Sequence, residues 1–165
     1  MKILDRLQII RKIERMTYEI AESNFENDKL YLLGINNNGY NFAKMLQEKL
    51  QKICKMDVFL NRLSLNPKNP VALDITVDID KKNLEGNNII VVDDVANTGR
   101  TLFYAMKIFM DIIPAEVETA VLVDRMHKSF PVSITYVGQS FATTIQDNIV
   151  VNLGIKGEES VYLEM

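Results

Sequence analysis

Two adjacent carboxylates, Asp93 and Asp94, run directly into Val95-Ala96-Asn97-Thr98-Gly99-Arg100-Thr101. Asn97 and Gly99 tolerate positive φ, and small side chains leave backbone N–H groups free to converge on an anion. A helix starting there would add unpaired N–H donors and the positive end of its dipole, with the Thr98 and Thr101 hydroxyls contributing further bonds. Hydrogen bonds to an ionised group are worth roughly 1.5–3 kcal/mol each. Carboxylates touching a phosphate would repel it, so Asp93 and Asp94 suit neutral hydroxyls or a cation. A ribose diol supplies the first and magnesium the second. Residue types in this order fit the holding of a sugar phosphate.

Such a turn needs rigid elements on both sides. Ile89, Ile90, Val91 and Val92 form a continuous apolar run, which reads as a strand covered on both faces and places Asp93 and Asp94 at its carboxyl end. In open α/β sheets that end faces the ligand crevice. After the turn, Leu102, Ala105, Met106, Phe109, Ile112 and Ile113 keep a helical period that stops before Pro114. Upstream, the pattern predicts a helix over 2–22, built on Ile3, Leu4, Leu7, Ile10, Ile13, Met16 and Ile20. It then predicts a strand at 30–35, a helix from about 40 to 53 and a strand at 57–61. The polar stretch 62–74, with Pro67 and Pro70, reads as a loop and candidate lid. Further strands are expected at 75–79, 117–123, 134–137, 149–153 and 161–163. Met45, Met56, Met106 and Met110 suit core filling. This alternation predicts an α/β fold with a mainly parallel sheet flanked by helices.

The 165 residues make a single domain, long enough to bury about 68–70% of its unfolded surface. One cysteine, Cys54, excludes an internal disulfide and a thiolate metal cluster. Residues 1–24 mix charges with apolar groups, unlike a signal peptide or membrane span, so a cytoplasmic protein without membrane partners is expected. A net charge of −3 and a pI near 5.3 oppose broad attraction to nucleic acid. Arg6, Arg11, Lys12 and Arg15 alternate with Asp5, Glu14, Glu19 and Glu22, the pattern of a solvated helix face.

The run from Val91-Val92-Asp93-Asp94 to Thr101 resembles the phosphoribosyl pyrophosphate loop of type I phosphoribosyltransferases. Ala120-Val121-Leu122-Val123-Asp124-Arg125-Met126-His127-Lys128-Ser129-Phe130-Pro131, with Ile134-Thr135-Tyr136-Val137-Gly138, is similar to the bacterial pyrimidine-operon attenuator/uracil phosphoribosyltransferase family. The likeness spans about 30–153. It implies the type I phosphoribosyltransferase fold over 1–165, with a small hood from about 124–165. The implied activity moves ribose 5-phosphate from 5-phosphoribosyl 1-pyrophosphate to a pyrimidine-like base, uracil first, and releases pyrophosphate. Asp93 and Asp94 would hold the ribose hydroxyls and Val95, Ala96, Asn97, Thr98, Gly99, Arg100 and Thr101 the 5′-phosphate. Magnesium is the implied cofactor, bound through the ligand's oxygens and, of the side chains, through Asp93 at most. A homodimer or higher homo-oligomer is also implied.

By position, Asn36, Asn37, Asn38 and Gly39 resemble the family's pyrophosphate loop, where the attenuator family carries Lys or Arg. Uncharged amides leave pyrophosphate to backbone and metal. Arg62, read as lying just after a strand and before the lid, would neutralise the leaving group; a solvated arginine beside a mobile loop fits as well. Asn97 stands where relatives acting on 6-oxopurines carry an aspartate that handles the base's proton, and Asp124 where they carry lysine, which disfavours a purine. In the hood region, Asp124, Arg125 and His127 would touch a base, a nucleotide or RNA, although the lone histidine also fits a plain surface position. The rival reading is a nucleotide-sensing, RNA-binding attenuator with little or no catalysis. Acidic pI and interleaved helix charges make RNA the less favoured partner.

Overall fold

Two interior strands, β2 (Lys29–Ile35) and β5 (Asn88–Ala96), lie side by side and parallel, paired from Leu30↔Asn88 to Gly34↔Val92. The computed structural model describes residues 1–144 and 147–164. On the outer side of β2 lies β3 (Asp57–Ser64), followed by the two-residue edge strand β4 (Thr76–Val77). Beyond β5 come β6 (Glu116–Arg125) and β7 (Tyr136–Phe141), giving the order β4-β3-β2-β5-β6-β7. Every pairing is parallel except β3 with β4. This is the type I phosphoribosyltransferase arrangement implied above, a mostly parallel sheet flanked by helices.

Alternation along the strands explains why their apolar runs are unbroken. Leu30, Leu32, Ile90 and Val92 pack into one cluster with Ile9, Ile13, Phe42 and Leu46. Tyr31, Leu33, Ile89 and Val91 pack into a second with Leu102, Ala105 and Ile108. Helices α1 (Arg6–Ser23) and α2 (Asn36–Ile53) therefore cover one face and α3 (Arg100–Ala105) the other.

Several boundaries differ from the sequence expectation. Residues 2–4 are not helical but form β1 (Lys2–Leu4), an antiparallel partner of β9 (Ser160–Glu164). Helix α1 starts afterwards because Asp5 closes a capping box: its Oδ1 accepts from Gln8 N at 2.8 Å, while Asp5 N donates to Gln8 Oε1 at 2.9 Å. The helix after Gly99 lasts six residues and continues as a 3₁₀ turn, Met106–Phe109. The tighter winding carries Met110 and Ile113 off the buried face, leaving them 77% and 80% exposed, so Met110 fills no core. The strand expected at 75–79 shrinks to Thr76–Val77, and the one at 134–137 shifts to Tyr136–Phe141.

A second, three-stranded antiparallel sheet has the order β1-β9-β8, with β8 (Asn148–Asn152) at its edge. From the stretch 124–165 it takes only β8 and β9, while β7 and the end of β6 belong to the main sheet; residues 145, 146 and 165 of that stretch lie outside the described residues. Among the described residues no helix is long and apolar enough to cross a membrane.

Replacing Asp5 with Ala removes both capping-box bonds and should cost about 1 kcal/mol. Thermal unfolding followed by circular dichroism should show a midpoint lower by roughly 2–4 °C. An unchanged midpoint would mean that α1 starts elsewhere.

Candidate active site

The chain leaves β2 through α2 towards β3, and leaves β5 through α3 towards β6, in opposite directions. A crevice opens between the carboxyl ends of β2 and β5, where ligands of open α/β sheets bind. Pairing of β2 with β5 stops at Gly34↔Val92, while β5 stays paired to β6 through Asp93↔Val121, Val95↔Val123 and Ala96↔Asp124. Asp93 and Asp94 therefore lie in the last part of the strand, which runs on to Ala96, on a stretch bonded along one edge only. That extension fixes their backbone while leaving the crevice side open.

Gly39 lets the first turn of α2 sit on this strand end. A Cβ there would stand 2.6 Å from Val92 O and 3.3 Å from Asp93 Oδ1. The asparagines thus belong to the helix, which begins at Asn36 and not at Tyr40. On the other side Gly99 has φ 84°, and a Cβ would meet Val132 Cγ2 at 2.5 Å. With only six residues behind it, α3 adds little dipole, so an anion here would rely on the convergent N–H groups of the turn.

Two adjoining cavities occupy the crevice. One, of about 410 Å³, is bounded by Asn36, Asn37, Asn38, Asp93, Asp94 and Thr101. The other, of about 440 Å³, is bounded by Asp93 and every residue of the turn 95–101. They share Pro67, Asp93, Val95, Asn97 and Thr101. A larger cavity of about 890 Å³ lies beside the small sheet and meets this site only at Asn38. Arg6 on its wall is already paired with Glu159 at 3.1 Å, and its lining lacks the carboxylate pair and the turn, so size does not select the site.

Asp93 is the electrostatic centre. It is 8% exposed, and burial, then the charge of Asp94, push its carboxyl well above the usual carboxylate range. Its Oδ1 accepts from Asp94 N at 2.9 Å, and no cation pairs with it among the described residues. No group of three ligating side chains capable of holding a metal occurs among those residues either, so a metal here would need oxygens from a bound ligand.

The three asparagines do different jobs. Asn36, at φ 50°, donates through Nδ2 to Leu65 O at 2.9 Å and accepts from Leu65 N at 3.1 Å, which ties α2 to the chain after β3. Asn38 donates to Asp94 Oδ2 at 3.0 Å. Asn37 accepts from Arg62 Nη1 at 2.8 Å. Arg62 sits inside β3, not after it, because the parallel ladder with β2 runs on through Gly34↔Arg62 and Ile35↔Leu63.

Around the turn, Thr98 O accepts from Ser129 N at 2.9 Å and Phe130 N at 3.1 Å. Arg100 Nη2 donates to Pro67 O at 2.8 Å, seating the 65–75 segment against the turn. Arg125 reaches Asn97 Oδ1 at 3.3 Å and is anchored by Thr143 Oγ1 and Thr144 O, each at 2.7 Å. Asp124 pairs with Lys128. Arg62, Gly39, Asp124, Arg125 and the exposed His127 border neither cavity, whereas Asp93, Asp94, the three asparagines and all of 95–101 do. Sequence reasoning missed Pro67, Asn148 and Ile149 as walls; Pro67 was visible only as loop punctuation, Ile149 only as the start of a short strand, and Asn148 lay just outside it.

Residues 1–156 match the phosphoribosyl transferase domain, and the chain belongs to that family. Within it, the chain is 36% identical over 167 residues to the bifunctional protein PyrR of Lactococcus lactis subsp. cremoris (strain SK11), covering 99% of this chain and 96% of the relative. It is 37% identical over 168 residues to the bifunctional protein PyrR of Streptococcus suis (strain 05ZYH33), covering 98% and 95%. A hypoxanthine-guanine phosphoribosyltransferase from Bacillus anthracis superposes with TM-score 0.75 at 21% identity over 98% of this chain and 96% of that one, a likeness of fold.

The raised Asp93 carboxyl has a consequence for stability. The folded chain binds this proton more tightly than the unfolded chain, so stability falls as pH rises from the ordinary carboxylate range through the raised value. Asp93→Asn keeps the oxygen that accepts from Asp94 N and removes the charge. It should raise the melting midpoint by a few degrees at mildly alkaline pH, with the gap closing towards about pH 4. A lower midpoint for the variant at alkaline pH would contradict this.

Proposed function

We propose that the crevice binds 5-phosphoribosyl 1-pyrophosphate and transfers its ribose 5-phosphate to a pyrimidine-like base, uracil foremost, releasing pyrophosphate. The observation that carries this reading is the shared wall of the two cavities: the buried Asp93, beside Asp94, adjoins a turn whose residues 95–101 all border one space. In the reaction the bond from the anomeric carbon to pyrophosphate breaks, a bond to the base nitrogen forms, and the proton that nitrogen carried passes to solvent or the departing pyrophosphate. Positive charge develops on the sugar between the first two events. The protein's part is to orient the donor and stabilise that charge.

Asp93 and Asp94 accept hydrogen bonds from the ribose hydroxyls. The backbone N–H groups of the turn, with Thr98 and Thr101, take the 5′-phosphate. Asn97 turns its oxygen to Arg125, so its Nδ2 hydrogens are left to donate towards a carbonyl acceptor on the base. Uracil presents such acceptors, and an amide cannot take the proton of a 6-oxopurine. Magnesium fits because Asp93 and Asp94 are adjacent carboxyl groups with no cation of the described residues paired with them; the two would hold it together with substrate oxygens. When bound, the ion neutralises charge on the pyrophosphate.

A second reading, an RNA-binding regulator of pyrimidine genes, is favoured by the relatives: one, from Lactococcus lactis subsp. lactis (strain IL1403), at 36% identity, is named pyrimidine operon regulatory protein. Against it, Arg6, Arg15 and Lys128 are each paired with a carboxylate of this chain.

A screen of free bases with 5-phosphoribosyl 1-pyrophosphate and magnesium, detecting released diphosphate, should give turnover with uracil and none with hypoxanthine or guanine. Asp94→Asn should reduce that turnover roughly 10²–10³-fold with an unchanged circular dichroism spectrum. No product with any base, together with a nucleotide-dependent gel shift of a pyrimidine-operon leader RNA, would replace the first reading with the second.

A further inference from the structure

A pyrophosphate group carries several negative charges, yet the first turn of α2 offers only Asn36, Asn37 and Asn38. Two of these amides are already committed, Asn36 to Leu65 and Asn38 to Asp94. Most cations around the crevice are committed as well. Arg100 donates to Pro67 O, and Arg125 is spread over Asn97, Thr143 and Thr144. Lys68 borders the neighbouring cavity, on the side of the phosphate turn.

Arg62 is different. Its backbone is fixed by Asp78, whose Oδ1 accepts from Arg62 N at 2.8 Å and whose N–H donates to Arg62 O at 3.1 Å. Those bonds leave the guanidinium free of Asp78, and it forms no ion pair with any described residue. Across the sheet its register partner is Gly34, whose lack of a side chain lets the backbone of Tyr40 come close, since a Cβ there would stand 2.4 Å from Tyr40 Cα. The guanidinium lies over the Tyr40 ring, 4.4 Å from the centroid, and donates to Asn37 Oδ1 at 2.8 Å. Guanidinium has only donors, so Asn37 must turn its oxygen to it, leaving its Nδ2 hydrogens without an internal partner among the described residues. Asn37 borders the cavity that holds Asp93 and Asp94; Arg62 does not.

We infer that Arg62 supplies positive charge to the pyrophosphate end of the donor through the Asn37 amide, and that the Tyr40 ring is the platform holding it there. This rests on the reading of the crevice as a donor site. A cation one hydrogen bond behind an amide polarises it, so the Asn37 N–H groups become stronger donors to an anion than those of a solitary amide. Arg62 and Tyr40 are therefore positioning residues, and Asn37 is the group that touches ligand. The arrangement answers the missing Lys or Arg of the loop with a cation from the neighbouring strand, delivered sideways.

The test is isothermal titration of the protein with magnesium pyrophosphate and, separately, with ribose 5-phosphate. Arg62→Gln keeps a donor for Asn37 and removes the charge. It should weaken pyrophosphate binding about tenfold or more, flatten its salt dependence, and leave ribose 5-phosphate within about twofold. Arg62→Lys and Tyr40→Phe should restore most of the affinity, and Tyr40→Leu should lose it. Equal losses for both ligands, or none in Arg62→Gln while the parent protein binds both, would overturn the inference and spare the donor-site reading. A parent protein that binds neither ligand would sink both.

Discussion

Where β2 stops pairing with β5 decides the rest. Had the ladder continued past Gly34↔Val92, the residues after Val92 would be interior strand, and two carboxylates there would be buried with no space beside them. Because it stops, and because β5 stays bonded to β6 as far as Ala96, Asp93 and Asp94 are rigid on one edge and accessible on the other. The opposite exits of α2 and α3 then set an amide-bearing turn and a backbone N–H turn on either side of the pair. Glycine at 39 allows this approach, since any side chain there would strike Val92 O.

The site carries an electrostatic debt. Asp93 is buried beside another carboxylate with no cation of the described residues paired with it, and burial and like charge both favour its protonated form. A structure with nothing to bind would gain by losing that charge. Keeping it makes sense where a ligand's hydroxyls and a divalent ion complete the surroundings, an instance of local stability yielding to function. Arg62 is the counterpart behind Asn37, a positive charge without an ion pair among the described residues and one amide away from the cavity.

Legibility followed the range of the interactions. Runs such as Ile89 to Val92 announce strands covered on both faces, and the turn after Asp94 is a contiguous signal, so the sheet class and the place of the turn could be read directly. The strand β1 could not, because its partner lies at the other end of the chain and Ile3 and Leu4 suit a helical period equally well. The i,i+3 pair Asp5 and Gln8 was the local clue that the helix begins later. Arg62 looked like loop because the polar segment follows so closely, whereas its ladder partner, Gly34, lies in β2, well back along the chain. Its stacking on Tyr40 and its bond to Asn37 join separate elements, and no spacing rule exposes them. The uncharged loop thus looked weaker in sequence than it is in space.

A crystal structure with 5-phosphoribosyl 1-pyrophosphate and magnesium bears most directly on the central claim. If the crevice is the donor site, the vicinal hydroxyls of the ribose will lie within hydrogen-bond distance of Asp93 and Asp94, with the 5′-phosphate against the N–H groups of the turn 96–101. Donor density in the larger cavity beside Lys2 and Tyr162, with the carboxylate pair untouched, would contradict it.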